Sequence, residues 1–347
     1  GFLGTEFLAE GPLNKKGTAS FLMMGRYSTL SLFKSLGIQL GTDAIPTYGD
    51  LAFKFNFKLR KGGNLSFWGM GGKSNIAIMI SEKTEYTTDL YGEGDRDQYF
   101  GTSMGVTGLT YKKAINEKTF VSSTVALSQE IQRANHDYLQ RSLNTTSGDT
   151  SIQINAIYPL MAYTFTTNKI SSYTAVNHKI NKQHLIKFGY NADLFLMNMK
   201  DSALVDYDDS TQFFTRWDYE GSCVLIQPFI QWKWRMSDNT DFTAGIHSQY
   251  FSMSNSLSPA ELRLGFKHKL PGNQSIFAGG GMHSQIQPLY TYVDNRKGVG
   301  NFFNKGMDFT KSIHSGVGYE KFFNKGFSVR TEAYYQYLYN IPVTISP

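Results

Sequence analysis

Cysteine is almost absent from the chain, and long apolar segments are missing altogether. Cys223 is the one cysteine among 347 residues, so the chain cannot build a disulfide framework or a site with several thiolates. The longest apolar runs, such as residues 21–24 and 76–80, fall far short of the roughly 18 apolar residues that a membrane-spanning helix needs. These absences exclude a disulfide-stapled domain and a helical membrane protein.

Motifs for catalysis, metal binding and phosphate binding are also missing. The seven histidines are scattered without H-E-x-x-H spacing, and no serine lies in a nucleophile elbow. Residues 69–74 read GMGGKS, but Phe67 stands where a phosphate-binding loop needs its first glycine. The net charge of +6 comes from dispersed basic residues, whereas nucleic-acid binding needs them clustered on one face. We therefore expect no enzyme, metal site, cofactor or nucleic-acid partner.

The chain is rich in aromatic residues and glycine. Aromatics make up 15% of the residues and there are 33 glycines, yet the mean hydropathy is −0.32. The aromatic residues are spread evenly from Phe2 to Tyr339 instead of being gathered into blocks. This distribution favours a wall with one apolar face and one hydrated face.

Strict alternation of apolar and polar residues predicts long strands. Residues 51–60 read LAFKFNFKLR, which places leucine and phenylalanine on one face and mainly lysine, asparagine and arginine on the other. The pattern returns in residues 186–196, 226–236, 262–267 and 327–337. About ten residues at a tilt of roughly 45° is the length of a transmembrane strand. A soluble β-sandwich with a second apolar layer is the alternative.

Short polar turns alternate with longer connections. The turns are predicted at residues 14–16, 61–64, 116–118, 181–183, 237–239, 271–274 and 324–326, and the long loops at 28–49, 74–98, 133–157, 199–219, 253–260 and 289–306. Asn, Asp and Gly tolerate the positive φ of tight hairpins. Short turns on one side and long loops on the other are typical of outer-membrane barrels.

The spacing predicts an all-β fold, an antiparallel transmembrane β-barrel wall with about 14 strands. The strands are predicted at residues 2–10, 17–27, 50–60, 64–73, 99–112, 118–131, 169–180, 184–198, 221–236, 240–253, 261–270, 275–288, 308–323 and 327–340. Residues 152–167 either extend the seventh strand outward or form a hairpin of their own. Residues 29–37 are predicted to form a short helix in an external loop.

Four segments resemble one family of membrane receptors. Residues 311–343 read KSIHSGVGYEKFFNKGFSVRTEAYYQYLYNIPV, and shorter likenesses are EGPL at 10–13, RYST at 26–29 and HSQIQPLY at 283–290. They resemble TonB-dependent outer-membrane receptors of the type with an N-terminal carboxypeptidase-regulatory-like domain. The resemblance implies an importer of a scarce solute, such as a siderophore or metal chelate, an oligosaccharide or a peptide.

The resemblance also implies that this chain is a part of something larger. Such receptors have a 22-stranded barrel filled by a plug, preceded by a TonB-contacting box. We expect residues 1–347 to be one barrel segment from the central part, without plug, box or final strands. We also expect the chain, which starts at Gly1, to be a mature product or a fragment. The implied partners are outer-membrane lipid, the plug, the TonB energy-transducing complex and a surface lipoprotein.

Candidate site residues follow from the alternation and from the long loops. Acidic and aromatic loop residues are the candidates for ligand binding: Tyr86, Tyr91, Asp95, Asp97, Tyr207, Asp208, Asp209, Trp217, Tyr290 and Tyr292. Basic residues on the polar strand faces are predicted to line a hydrated lumen: Lys54, Lys58, Lys187, Lys233, Arg235, Arg263, Lys267 and Arg330. Trp68, Trp232 and Trp234 are predicted to be aromatic anchors at the membrane interface.

Two other functions stay open at this point. A self-contained 14-stranded passive channel or lipid transporter would need only an even number of strands. A soluble β-sandwich binding module would use the same alternation but pack its apolar face against a second sheet.

Overall fold

The computed structural model describes residues 4–28, 46–82, 93–146, 149–207, 210–294, 303–323 and 326–343. The strands are β1 (Gly4–Pro12), β2 (Ala19–Ser28), β3 (Thr47–Lys58), β4 (Asn64–Ile78), β5 (Arg96–Ala114), β6 (Thr119–Thr146), β7 (Asp149–Lys179), β8 (His184–Tyr207), β9 (Ser210–Arg235), β10 (Thr240–His247), β11 (Tyr250–Phe251), β12 (Ser256–Leu257), β13 (Glu261–Leu270), β14 (Gln274–Gln285), β15 (Thr310–Phe322) and β16 (Ser328–Tyr339). Helix α1 (Leu289–Tyr292) and a 3₁₀ turn (Phe303–Gly306) lie between β14 and β15.

These strands form one antiparallel sheet. Fourteen strands follow one another in chain order, β1 to β10 and then β13 to β16, while the two-residue strands β11 and β12 lie off this path. The predicted all-β fold and the number of about 14 main strands are confirmed. The predicted helix at 29–37 lies outside the described residues.

Helices are minor elements of this fold. Among the described residues, none of them has the length and apolar character needed to cross a membrane.

All seven predicted short turns join neighbouring strands. Gly62 and Gly63 between β3 and β4 have φ of 77° and 96°, and Asn273 between β13 and β14 has a φ of 56°. Only glycine enters this region without steric cost, and asparagine tolerates it better than most residues. The turn chemistry in the sequence therefore sets where each hairpin reverses.

Two predicted loops are strands instead. Residues 133–157 and 199–219 belong mostly to the long hairpins β6–β7 and β8–β9, whose pairing continues to Thr146↔Asp149 and Tyr207↔Ser210. Residues 152–167 extend β7 outward, which was one of the two predicted arrangements. Register shifts at His136/Asp137, Gln140/Arg141 and Asp201/Ser202 mark bulges in these extensions.

Strand β10 ends at His247, earlier than the predicted residue 253. The next residue, Ser248, lies opposite Pro228 of β9, which has no N–H to donate to the hydrogen-bond ladder between the two strands. The Ser258 hydroxyl accepts from the Gln249 backbone N–H at 2.9 Å. A side-chain contact thus holds the chain where regular pairing is interrupted.

The sheet has two chemically different faces. Directly paired residues share a face, so Phe55, Phe67, Leu109 and Val125 form one apolar row across β3 to β6. Large apolar side chains stay exposed across this apolar face, among them Leu51, Leu127, Ile170, Phe188, Ile230 and Leu264. The described strands form one sheet, so within them no second layer covers these side chains, as a β-sandwich would require. A contiguous apolar surface of this extent fits contact with lipid hydrocarbon.

Candidate ligand-contacting site on the basic face

The eight basic residues predicted to line a lumen all lie on the face opposite the apolar rows. Lys54 pairs with Trp68, and the same face continues through Asp193 on β8 to Lys267 on β13 and Glu332 on β16. We call this the basic face. That it bounds a hydrated lumen stays a prediction.

Acidic partners accompany several of these cations. Lys233 Nζ lies 3.2 Å from Asp241 Oδ2, and Lys267 Nζ lies 3.9 Å from Glu320 Oε2. Arg263 Nη2 lies 2.8 Å from Oε2 of Glu261, a fully buried residue. Arg330 pairs with Glu332 on its own strand, and Lys187 lies 5.5 Å above the Phe229 ring. Cations and anions are therefore mixed on the basic face.

The connection between β14 and β15 folds over the basic face. We call its described residues, 286–294 and 303–309, the inner strap. Tyr292, Val293 and Phe309 of the strap are at most 1% exposed. They pack with an apolar cluster from β8, β9 and β11 and the residues after it: Met197, Met199, Cys223, Leu225, Phe251 and Met253. Strand β9 lies three positions from β14 in the sheet, so the strap crosses the neighbouring strands.

Hydrogen bonds fix the inner strap at both ends. Trp217 Nε1 donates to the Tyr290 carbonyl at 2.8 Å, and Asn340 Nδ2 donates to the Phe309 carbonyl at 2.7 Å. The Gln287 backbone N–H donates to the Tyr292 hydroxyl at 3.0 Å. Because the phenol is buried, the pKa of Tyr292 is raised. The strap is therefore a packed part of the wall.

Three aromatic rings meet where the inner strap touches the long hairpins. Phe165 on β7 lies 5.6 Å from the Trp217 ring and 6.2 Å from the Tyr290 ring, centroid to centroid. Tyr290 is 45% exposed, so the group is open on one side. We call these three residues the aromatic shelf. Planar rings with an open face can stack on a planar or sugar-like ligand.

A groove of about 670 Å³ extends from the aromatic shelf down the basic face. Its lining combines Phe195 and Leu289 with hydroxyl, amide and charged side chains, among them Ser128, Glu130, Gln132 and Thr167. Apolar walls with a few polar groups are the usual composition of a ligand site.

A buried ion pair supports the aromatic shelf. The Asp201 side chain is 2% exposed and accepts from Arg216 Nε at 2.5 Å and Arg216 Nη2 at 2.7 Å. The guanidinium carbon lies 5.6 Å from the centre of the Trp217 ring. The bulge at Asp201/Ser202 leaves Arg216 without a paired residue on β8, which lets it reach back to the carboxylate.

Solved structures with the same fold are outer-membrane receptors. A ferric enterobactin receptor mutant from Pseudomonas aeruginosa matches with a TM-score of 0.59 at 12% identity, over 96% of this chain and 50% of that one. FpvA of P. aeruginosa gives 0.68 at 10%, over 96% and 46%, and the copper transporter OprC gives 0.60 at 10%, over 92% and 49%. The chain has the barrel fold of TonB-dependent receptors. It spans about half the length of these structures.

Sequence comparisons do not extend this likeness. No protein-family model and no curated protein sequence matches the chain. The N-terminal domain type that the resemblance implies is therefore not established. The receptor-barrel fold rests on the structural likeness.

The predicted ligand-binding residues lie in different environments in the structure. Trp217 and Tyr290 belong to the aromatic shelf. Asp95 is partly exposed and receives two hydrogen bonds from Arg96, at 2.7 and 3.0 Å, which lower the pKa of its carboxyl. Tyr86, Tyr91, Asp208, Asp209 and the Tyr207 side chain lie outside the described residues.

Two predicted ligand residues occupy packing positions instead. Asp97 is 3% exposed. Its carboxylate accepts hydrogen bonds from the backbone N–H of Ser81 at 2.8 Å and from the Ser81 hydroxyl at 2.6 Å. Tyr292 is 1% exposed in the apolar cluster under the strap. Neither side chain is presented to a ligand in this arrangement.

The three tryptophans predicted as interface anchors divide between the faces. Trp232 and Trp234 lie on the apolar face near the short turns and stack at 5.7 Å, with His184 beside them. Trp68 instead pairs with Lys54 on the basic face, where its Nε1 donates to Thr110 Oγ1 at 3.0 Å. Trp68 therefore lies on the face opposite Trp232 and Trp234, and its role as an interface anchor stays a prediction.

Phe165 and Arg216 were not among the predicted site residues. Phe165 lies in a segment whose alternation is weak, and the contact of Arg216 with Asp201 depends on a bulge that no local pattern marks. No group of three or more His, Cys, Asp or Glu side chains within the described ranges has the geometry of a metal site.

Proposed function

We propose that this chain forms the central wall of an energy-coupled importer in the outer membrane. The observation that carries the proposal is the receptor-barrel fold, joined to a continuous exposed apolar face and a basic face with mixed charges. In this proposal the apolar face contacts lipid, and the basic face contacts water and a plug. The energy-transducing TonB complex would act through the plug region.

The aromatic shelf is the proposed ligand contact. It lies beside the inner strap, at the end of the sheet away from the short turns, where a ligand from outside would arrive if those turns are periplasmic. Siderophores or metal chelates, oligosaccharides and peptides remain the ligand classes, because ring stacking serves all three. The solved relatives are named for enterobactin, pyoverdine and copper, and those ligands belong to them.

An uptake assay in whole cells tests the proposal. Cells that make the complete receptor would be screened with labelled metal chelates, oligosaccharides and peptides, with and without the proton-motive force. We expect one class to be taken up only by energised cells, and we expect W217A to reduce its uptake roughly tenfold, since stacking contributes about 1 kcal/mol or more per ring pair. Y163F, a change beside the shelf that keeps the ring, is the matched control.

Passive transport is the second candidate, because fourteen main strands form a continuous even-numbered path. It predicts uptake that is unaffected by loss of the proton-motive force, and stable conductance when the chain alone is inserted into a planar bilayer. Either result would contradict the energy-coupled importer.

A further inference from the structure

The apolar face carries a groove that the proposed import does not use. The groove has a volume of about 740 Å³ and lies across β3 to β7. Leu51 and Phe53 form one side, and Leu127 and Ile170 form the other. Its floor between them is glycine, since Gly71 and Gly105 pair with each other in the row that starts at Leu51.

The floor of this groove is open space. A Cβ atom added at Gly105 would meet no atom within 4 Å, so the missing side chain leaves the groove unfilled. Leu51, Leu127 and Ile170 are exposed along its walls. An apolar trough on a face that contacts hydrocarbon accommodates an acyl chain, and each buried methylene contributes favourably.

A polar pair lies beside the glycine floor, in the same row across the strands. Gln129 and Asn168 continue the row from Gly105, and Gln129 Nε2 donates to Asn168 Oδ1 at 2.8 Å. This bond leaves the Gln129 carbonyl and the Asn168 amide hydrogens for another partner. Gln129 is exposed and Asn168 is half-buried, so both can be reached from the groove.

Two cations lie farther along the strands, on the side away from the short turns. Lys73 is two residues beyond Gly71 on β4, about 7 Å along the strand, and Arg133 is four residues beyond Gln129 on β6, about 14 Å along it. Both side chains are exposed, and neither has an ion-pair partner among the described residues. Lys200 lies on the same face farther along but pairs in register with Asp218. The free positive charge is therefore concentrated above the groove.

We propose that this groove binds a phosphorylated, multiply acylated glycolipid of the outer leaflet, the chemistry of lipid A. One acyl chain fills the glycine floor, the Gln129–Asn168 pair contacts the sugar and acyl linkages, and Lys73 and Arg133 contact phosphate. Charge complementarity selects this lipid over an uncharged one. The proposal rests on the membrane placement contained in the proposed function, but it does not depend on which solute is imported.

Native mass spectrometry on the complete purified receptor tests the site. Bisphosphorylated lipid A, monophosphorylated lipid A and phosphatidylglycerol would be titrated separately. We expect bisphosphorylated lipid A to bind most tightly, and G105L, whose Cβ atom meets no atom within 4 Å, to weaken it roughly tenfold because about two methylene contacts are lost. K73Q combined with R133Q should remove the preference for the second phosphate.

Two further variants serve as matched controls for the lipid-binding experiment. G11L places the same side chain on the apolar face away from the groove, and K187Q removes a cation from the basic face; both should bind lipid A as the parent does. Equal binding by G105L, or equal binding of phosphatidylglycerol and lipid A, would overturn the proposal. The uptake assay distinguishes failure of the lipid site from failure of the importer. If energised uptake is absent while lipid A still binds, only the importer is refuted.

Discussion

Cys223 is a native reporter for the packing of the inner strap. It is 2% exposed in the apolar cluster that Tyr292, Val293 and Phe309 complete. A maleimide reagent should therefore label Cys223 slowly in the folded protein, and labelling should proceed through transient opening of the strap. Peptide mapping by mass spectrometry would follow this one cysteine whatever others the complete protein carries.

Replacing Tyr292 by alanine should raise the labelling rate strongly. Truncating a fully buried aromatic side chain costs about 3–5 kcal/mol in packing, and the hydrogen bond from the Gln287 N–H is lost as well. If about 3 kcal/mol of this loss reduces the free energy that keeps the strap closed, the population of molecules with an open strap rises roughly 100-fold. The labelling rate should rise by the same factor.

Tyr290 provides the control for this experiment. It belongs to the same short helix, but it is 45% exposed, and its bond with Trp217 uses the backbone carbonyl. Y290A should therefore change the labelling rate little. Fast labelling of the parent protein, or equal acceleration by Y290A and Y292A, would refute the packed strap.

Three further predictions concern stability and assembly. R216A leaves the buried Asp201 carboxylate without its partner and should destabilise the protein by roughly 3–5 kcal/mol in thermal unfolding; R216K should recover part of the loss, and an unchanged Tm would contradict the buried pair. G189A places a methyl group against the Thr174 carbonyl and should reduce barrel assembly measured by heat-modifiable mobility, whereas G105A, in open space, should assemble normally. Burial raises the pKa of Asp308, but the Lys311 ammonium at 2.7 Å outweighs it, so the pKa is lowered; its stabilising contribution is present above the ordinary carboxyl pKa and lost as pH falls through the lowered value. D308N should flatten that part of the stability–pH curve, and an unchanged slope would argue against the pair.

The spanning strands and their short turns could be predicted because one physical constraint governs them. A strand with hydrocarbon on one side and water on the other must alternate, as residues 51–60 do. Glycine and asparagine then mark the reversals by their positive φ, as at Gly62 and Asn273. Most of the sheet can therefore be predicted from local sequence.

The outer ends of the hairpins could not be predicted in the same way. In the outer parts of β6 to β9 backbone pairing continues without strict alternation, and residues 133–157 and 199–219 have the composition of loops. The aromatic shelf depends on contacts over long sequence separations, since Trp217 and Tyr290 are 73 positions apart. The reversed placement of Trp68 follows from its position in the alternation, which residue type alone does not reveal.

The proposed membrane placement requires the apolar face of the sheet to meet lipid. Spin labels for accessibility measurements can be attached to single cysteines introduced into the complete protein in bilayers, at positions 53, 55 and 57 and at positions 54, 56 and 58 of β3. Labels at the three phenylalanine positions should be relaxed by oxygen dissolved in the hydrocarbon, and labels at the other three by a water-soluble nickel complex. Loss of this alternation, or its reversal, would contradict the assignment of the apolar face to lipid.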